Sequence, residues 1–302
     1  MLTVFRNNQD HIDSTSPRFS EMRGKRQAEW SPSPHERDPN PKNARLVEDF
    51  DSTEDRDTEE TTTEDAEICL RDALENCRHF LAFRTPQRVG RDFFDVGCVQ
   101  LARKLLGNHL VRRLKDGRIL RAKIVETESY LGGQDKASHS FNNRRTERNE
   151  PMYMEPGTAY VYLTYGMYYC FNISSRGEGA AVLLRSAKPL SGVEDIRGLR
   201  GVKLKDGGRK LRLAQLLNGP SKLCTGMAIC KDAMNKEFVP SSELLWIEYS
   251  QDAAPAEHHI VTSSRIGVES VPREWACQPL RFYLLEDATF VSVRDRAAEK
   301  AL

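Results

Sequence analysis

Residues 157–174 read GTAYVYLTYGMYYCFNIS, and residues 124–132 read IVETESYLG. In the first stretch Tyr160 and Tyr162 alternate with Val161 and Leu163, the period-two pattern of a half-buried strand. Thr164-Tyr165-Gly166-Met167 interrupts the alternation, and Gly166 supplies the backbone freedom a tight hairpin turn demands. The spacing predicts a hairpin with Tyr165 exposed at its tip and Met167 beside it. The second stretch ends another hairpin, in which HLVRRL and RILRAKIVETESY turn at Asp116-Gly117.

Outward from these hairpins, AAVLLRSA (180–187) reads as a buried strand, and LLWIEY, HHIVTS, LRFYLL and TFVSV as four further strands. Asp95 as N-cap and Gly107 as stop bracket a helix over VGCVQLARKLLG. Ser191 with Glu194 fits a capping box opening a short helix. Residues 209–217 read as a helix stopped by Asn218-Gly219, and Pro220-Ser221 starts another toward Cys230. Hairpins dominate and strands do not alternate regularly with helices. That pattern predicts an α+β fold around a mainly antiparallel sheet rather than a doubly wound one.

The formal net charge of +1 conceals an asymmetry. Residues 1–67 hold 9 Lys/Arg against 17 Asp/Glu, and residues 68–302 hold 36 against 27. The acidic stretch is poor in aliphatic residues and rich in Pro, Ser and Thr, so it cannot bury enough apolar surface to offset its ordering entropy. Residues 1–83 are therefore expected to be a largely disordered acidic region, with a short helix fitting the spacing of 68–83, and residues 84–298 to be the folded domain. The chain shows no apolar run of membrane length and no secretory signal at its start, so a soluble intracellular protein with no membrane partner is expected. Seven scattered Cys without a CxxC pair argue against a disulfide framework, a zinc ribbon or an iron–sulfur cluster. No metal and no cofactor are implied.

In a strand, Glu126, Glu128 and Tyr130 share one face. Two carboxylates and a ring on one face fit a carboxylate base beside a stacking surface; they also fit a solvent-facing strand edge with salt bridges. Arg185 ends an apolar strand, where an unpaired guanidinium is costly, and Glu128 is a candidate partner. His139 lies between the hairpins. If it faces Tyr130 and Tyr162, the three rings form a slot for a flat heterocycle, with the Asn172 amide at its rim. An aromatic on a protruding tip fits a wedge between nucleic-acid bases, or packing on its own domain. Arg144, Arg145 and Arg148, the run Arg197, Arg200, Lys203, Lys205, Arg209, Lys210 and Arg212, and Lys222 after a Gly-Pro-Ser turn are suited to phosphates.

These residues together resemble a known family. IVETESYLG, the ASHS histidine, RNEPMYMEPGTAYVYLTYGMYYCFNISS, GAAVLLRSAKPL, GPSKLC, RIGV and PLRFY stand in the order of the alkyladenine (3-methyladenine) DNA glycosylases, over residues 88–296. The resemblance implies a single domain with a curved antiparallel sheet and a projecting hairpin. It implies a monofunctional enzyme that flips damaged purines (3-methyladenine, 7-methylguanine, hypoxanthine, ethenoadenine) out of double-stranded DNA and hydrolyses the N-glycosidic bond, initiating base excision repair. Glu128 then resembles the general base for water, held with Arg185 and the Ile266 carbonyl. Tyr130, His139 and Tyr162 resemble the base-stacking pocket, Asn172 the group that disfavours guanine, and Tyr165 with Met167 the intercalating tip. Arg144, Arg145, Arg148 and Lys222 are assigned to the DNA backbone. A monomer in the nucleus is expected, with the mitochondrion also open. The basic stretch 201–217 and HHIVTSSRIGVESV depart from the family pattern. A non-catalytic damaged-DNA binding protein is the alternative, and an RNA-binding module a weaker one.

Overall fold

The computed structural model describes residues 87–251 and 259–302. The acidic region and the helix expected over 68–83 lie outside the described residues. Within them the elements run α1 (Arg91–Phe94), α2 (Cys98–Leu105), β1 (His109–Arg113), β2 (Ile119–Tyr130), β3 (Ala159–Thr164), β4 (Tyr168–Ser174), β5 (Ala181–Ser191), α3 (Val193–Gly201), α4 (Pro220–Gly226), α5 (Lys231–Met234), β6 (Leu245–Glu248), β7 (Ile260–Ser263), α6 (Arg273–Ala276), β8 (Arg281–Leu284) and α7 (Arg296–Lys300), with short 3-10 turns between some of them. The fold is α+β, as the hairpin-rich pattern predicts.

All pairings between these strands are antiparallel, in the order β3-β4-β5-β2-β1-β6, with β8 joining β2 to β7. β2 is the axis of the sheet. Its first half alternates between half-buried and buried residues, whereas residues 124–129 are buried without interruption. The change marks where cover arrives on both faces. On one face Thr127 Oγ1 donates to the Ala102 carbonyl at 2.9 Å and Ser129 Oγ to the Cys98 carbonyl at 3.4 Å, joining β2 to α2. The opposite face carries Glu126, Glu128 and Tyr130. Along β5 the pairing skips Val125 and Arg185 on either side of the Glu126–Ser186 pair. Such local irregularities re-aim side chains next to functional sites.

Five local expectations are corrected. Asp95 does not cap α2: Gly97 stands there, and Asp95 closes α1 and pairs with Arg176 at 2.9 Å. Ser191 and Glu194 form no capping box, because Ser191 still belongs to β5 and Gly192 (φ +71°) makes the turn into α3. Residues 209–217 are not a helix; only Leu213–Gln215 makes a 3-10 turn. Asp206 takes the amides of Gly208 and Lys210 at 3.1 Å each, competing with helical pairing at the start of the segment. TFVSV is not a strand. Its Ser292 amide and Val293 carbonyl bond to the side chains of Glu126 and Arg281 instead of to a ladder. The helix from Pro220 also stops at Gly226, short of Cys230.

Gly192 is needed for a second reason: a Cβ there would meet Leu120 Cδ2 at 2.5 Å. Gly192→Ala combines that clash with a left-handed backbone, and thermal unfolding should show a loss of about 1–3 kcal/mol.

Candidate active site

Glu128 is fully buried and its carboxylate has three donors. The Ile266 amide donates to Oε1 at 2.8 Å, while Arg185 Nη1 and the Tyr130 hydroxyl each donate to Oε2 at 3.1 Å. Burial raises its pKa, opposed chiefly by Arg185 and the Ile266 amide. Burial favours its protonated form and the donors favour its anion, and the balance leaves a carboxylate more basic than usual. Ile266 thus meets Glu128 through its amide N–H. The solvent-facing strand edge is excluded, because Glu126 and Glu128 are both at 0 % exposure.

Tyr130 connects this carboxylate to a cavity of about 140 Å³. Besides Tyr130, His139, Tyr160, Tyr162 and Asn172 line it, together with the Gly267-Val268 turn that follows Ile266. The His139 and Tyr162 rings meet edge-on with centroids 4.7 Å apart, and Tyr160 lies 5.1 Å from Tyr162. Asn172 uses one amide hydrogen on the Tyr160 carbonyl at 3.1 Å, which fixes its orientation. On the sheet side, Arg265 lies over the Tyr130 ring at 4.9 Å and is clamped by Asp135. The three predicted rings therefore line one cavity, and Tyr160 lines it with them. Its period-two relation to Tyr162 was the signal that could have included it.

His139 Nδ1 and the Tyr160 hydroxyl are 2.8 Å apart. Burial, helped by Arg148, pulls the His139 pKa down to about 4, and burial pushes Tyr160 up to about 12. His139 as a residue is nonetheless exposed, and water there weakens the shift without changing its direction. At neutral pH both groups are uncharged. In the tautomer where the phenol donates to Nδ1, Nε2 carries the imidazole hydrogen.

The hairpin tip is exposed: Tyr165 is at 88 % and Met167 at 61 %. Both Tyr165 (φ +51°) and Gly166 (φ +67°) take left-handed backbone, and the Met167 amide closes the turn on the Thr164 carbonyl at 3.1 Å. A tyrosine pays strain for this conformation while its ring gains no packing on its own domain, which points to use rather than structure. The basic residues divide. Arg148 lies over the Tyr162 ring at 5.1 Å, Arg145 pairs with Glu150, and Lys222 bonds Asn218 at 3.0 Å; Arg144 is exposed. Glu126, Arg281 and Ser292, absent from the predicted site, lie directly behind it.

A buried carboxylate–guanidinium pair joined to an aromatic-lined cavity, with an exposed and strained hairpin tip on the strands that supply two of its rings, has the geometry of an active site. The family model of methylpurine-DNA glycosylase matches residues 92–288. Human DNA-3-methyladenine glycosylase is 48 % identical over 214 residues, which is 70 % of this chain and 70 % of its own length. The mouse protein of the same name is 46 % identical over 228 residues, 74 % of this chain and 68 % of its own length. A probable DNA-3-methyladenine glycosylase of Encephalitozoon cuniculi is 48 % identical over 197 residues, 65 % of this chain and 89 % of its own length. The chain belongs to the methylpurine-DNA glycosylase family.

Because the folded value of His139 lies below the ordinary 6.5, the stability it contributes is complete above that pH and is lost as pH falls toward 4. An imidazole NMR titration should place its midpoint well below 6.5. Arg148→Gln should raise that midpoint, since the Arg148 charge opposes protonation.

Proposed function

We propose that this chain, a DNA glycosylase by family, is a monofunctional hydrolase acting as a monomer on duplex DNA that contains damaged purines. The substrates it would excise are 3-methyladenine, 7-methylguanine, hypoxanthine and ethenoadenine. The observation that carries the reading is Glu128: a fully buried carboxylate, held by Arg185 and the Ile266 amide and joined through Tyr130 to the aromatic cavity.

Breaking an N-glycosidic bond builds oxocarbenium character on the sugar. Glu128 stabilises that charge and accepts the proton of the attacking water, the one-step logic of inverting glycosidases. The Ile266 carbonyl is assigned a share in holding that water. The base enters the cavity only after leaving the helix, and Tyr165 with Met167 fills the gap it leaves. Tyr130, His139 and Tyr162 supply stacking area. Neutral His139 offers an Nε2 hydrogen to the base, and the Asn172 amide crowds a 2-amino group. A base already cationic departs easily, so a loosely selective pocket is sufficient; a neutral base depends more on the hydrogen bonds around it. Arg144, Arg145 and Lys222 are assigned to phosphates. Arg148, stacked on Tyr162, can serve both the pocket wall and the backbone.

The test is single-turnover release from a duplex carrying one hypoxanthine, scored with and without hot alkali. Strand cleavage only after alkali is expected. Tight lesion binding without an alkali-labile product would favour the non-catalytic binder. Glu128→Gln should keep lesion binding and lose release by at least about a hundredfold, a typical share for a general base. For the wild type, the rate should fall with acidity at a pH above the ordinary carboxylate range, because Glu128 must be ionised to act and its pKa is raised. Tyr165→Ala should weaken lesion binding in a gel shift. Equal binding by mutant and wild type would remove the wedge from the mechanism.

A further inference from the structure

Glu126 lies two residues before Glu128 on the same face of β2, and its environment is different. Its Oε1 accepts from Ser292 Oγ at 2.8 Å, Arg281 Nη1 at 3.1 Å and Arg185 Nε at 3.3 Å. Its Oε2 accepts from Ser186 Oγ at 2.6 Å and the Ser292 amide at 2.8 Å. Five donors on one carboxylate leave no lone pair for a water, so Glu126 is not a second base.

The same contacts determine how Arg185 sits. Its Nε goes to Glu126, its Nη1 to Glu128 and its Nη2 to Ser292 Oγ at 3.2 Å. The Ser292 hydroxyl thus gives its one hydrogen to Glu126 and accepts one from Arg185, closing a ring of three residues. Ser292 belongs to the segment that forms no strand, and it lies beyond residue 288, where the family match ends. Arg281 ties that segment to the site's other support. Its Nη1 holds the Val293 carbonyl at 2.8 Å, and its Nε holds the Ser264 carbonyl at 2.8 Å, two residues before Ile266.

We propose that Ser292 is a positioning residue for base excision, which touches no substrate and fixes the Arg185 guanidinium against Glu128, directly through its hydroxyl and also by way of Glu126. The inference rests on the reading of Glu128 as the base. The groups acting on Glu128 are Arg185 from β5, Tyr130 and Glu126 from β2, Cys170 from β4, and Arg265 with the Ile266 amide from the turn after β7. Arg185 is the foremost of those that favour its charged form. Removing the Ser292 hydroxyl frees Nη2 and lets the guanidinium swing, while the Ser292 amide still holds Glu126. The loss should therefore fall on Glu128 chemistry and leave the lesion pocket intact.

The experiment compares wild type, Ser292→Ala and Ser292→Thr in single-turnover release from the hypoxanthine duplex across about pH 5–9, with lesion binding measured by gel shift. Ser292→Ala should slow release roughly tenfold at neutral pH and keep the binding constant within about twofold, as for a misplaced group that binds nothing itself. Its acid limb should move to higher pH, because a loosened Arg185 leaves Glu128 easier to protonate. Ser292→Thr, which keeps the hydroxyl, should restore both rate and limb. A wild-type rate in Ser292→Ala overturns the proposal. So does a slower rate with an unmoved acid limb, or a loss matched by a loss of binding. Release by the wild type with an unaffected Ser292→Ala defeats this inference alone, whereas no release by the wild type defeats the glycosylase reading and this one with it.

Discussion

The Arg185 guanidinium is shared between two fully buried carboxylates, and the site is organised by that sharing. Taking Glu126 and Glu128 out of water is unfavourable, and like charges two residues apart on one strand add to the penalty. Arg185 meets both, and Arg281 adds a second cation on Glu126. The balance of two anions and two cations permits polar residues at the middle of a sheet whose opposite face packs on α2. It also divides the labour. Glu126 is saturated with donors and acts as an anchor, whereas Glu128 has fewer and its basicity is raised by burial. Removing one partner of such a network costs about 3–5 kcal/mol, so the residues that serve chemistry here also bear on stability.

Around that fixed centre the pocket is built from uncharged aromatic groups. His139 is neutral and bonded to Tyr160, Asn172 is tied to the backbone of β3, and Tyr130 rests on Arg265. These contacts hold each ring before any ligand arrives, which limits the ordering entropy that binding must overcome. The projecting hairpin contrasts with this. Its strands are anchored in the sheet, but its tip holds an exposed tyrosine in a strained backbone. The contrast is between a cavity whose rings are held by hydrogen bonds and ring contacts and a tip whose side chains face solvent.

Much of this arrangement was legible in the residues. Period-two alternation located the Tyr-rich hairpin, the Asp116-Gly117 turn located the other, and the shared face of Glu126, Glu128 and Tyr130 followed from strand geometry. Arg185 was noticeable because a guanidinium at the end of an apolar strand requires a partner. The errors came where local preference lost to tertiary contacts. Ser191 resembles a cap but continues a strand, and Gly192 turns the chain where Leu120 leaves no room for a side chain. Residues 209–217 have helical spacing, but Asp206 captures amides at their start. TFVSV has strand composition, but its backbone bonds to buried side chains. Tyr160 was visible as a strand residue yet not as a site residue, because its role depends on where His139 arrives.

The sequence by itself determined the antiparallel α+β class and the exposed tip, since each depends on chemistry within a few residues of its neighbours, while the catalytic candidates came from the resemblance of its motifs to a known family. Only the tertiary structure decided which carboxylate is saturated and which is left basic. That distinction depends on Arg281 and Ser292, more than 150 residues from Glu126 in sequence. No local pattern records such a distance: a hydrogen bond is satisfied by proximity in space, and the sheet and the returning C-terminal segment together create it.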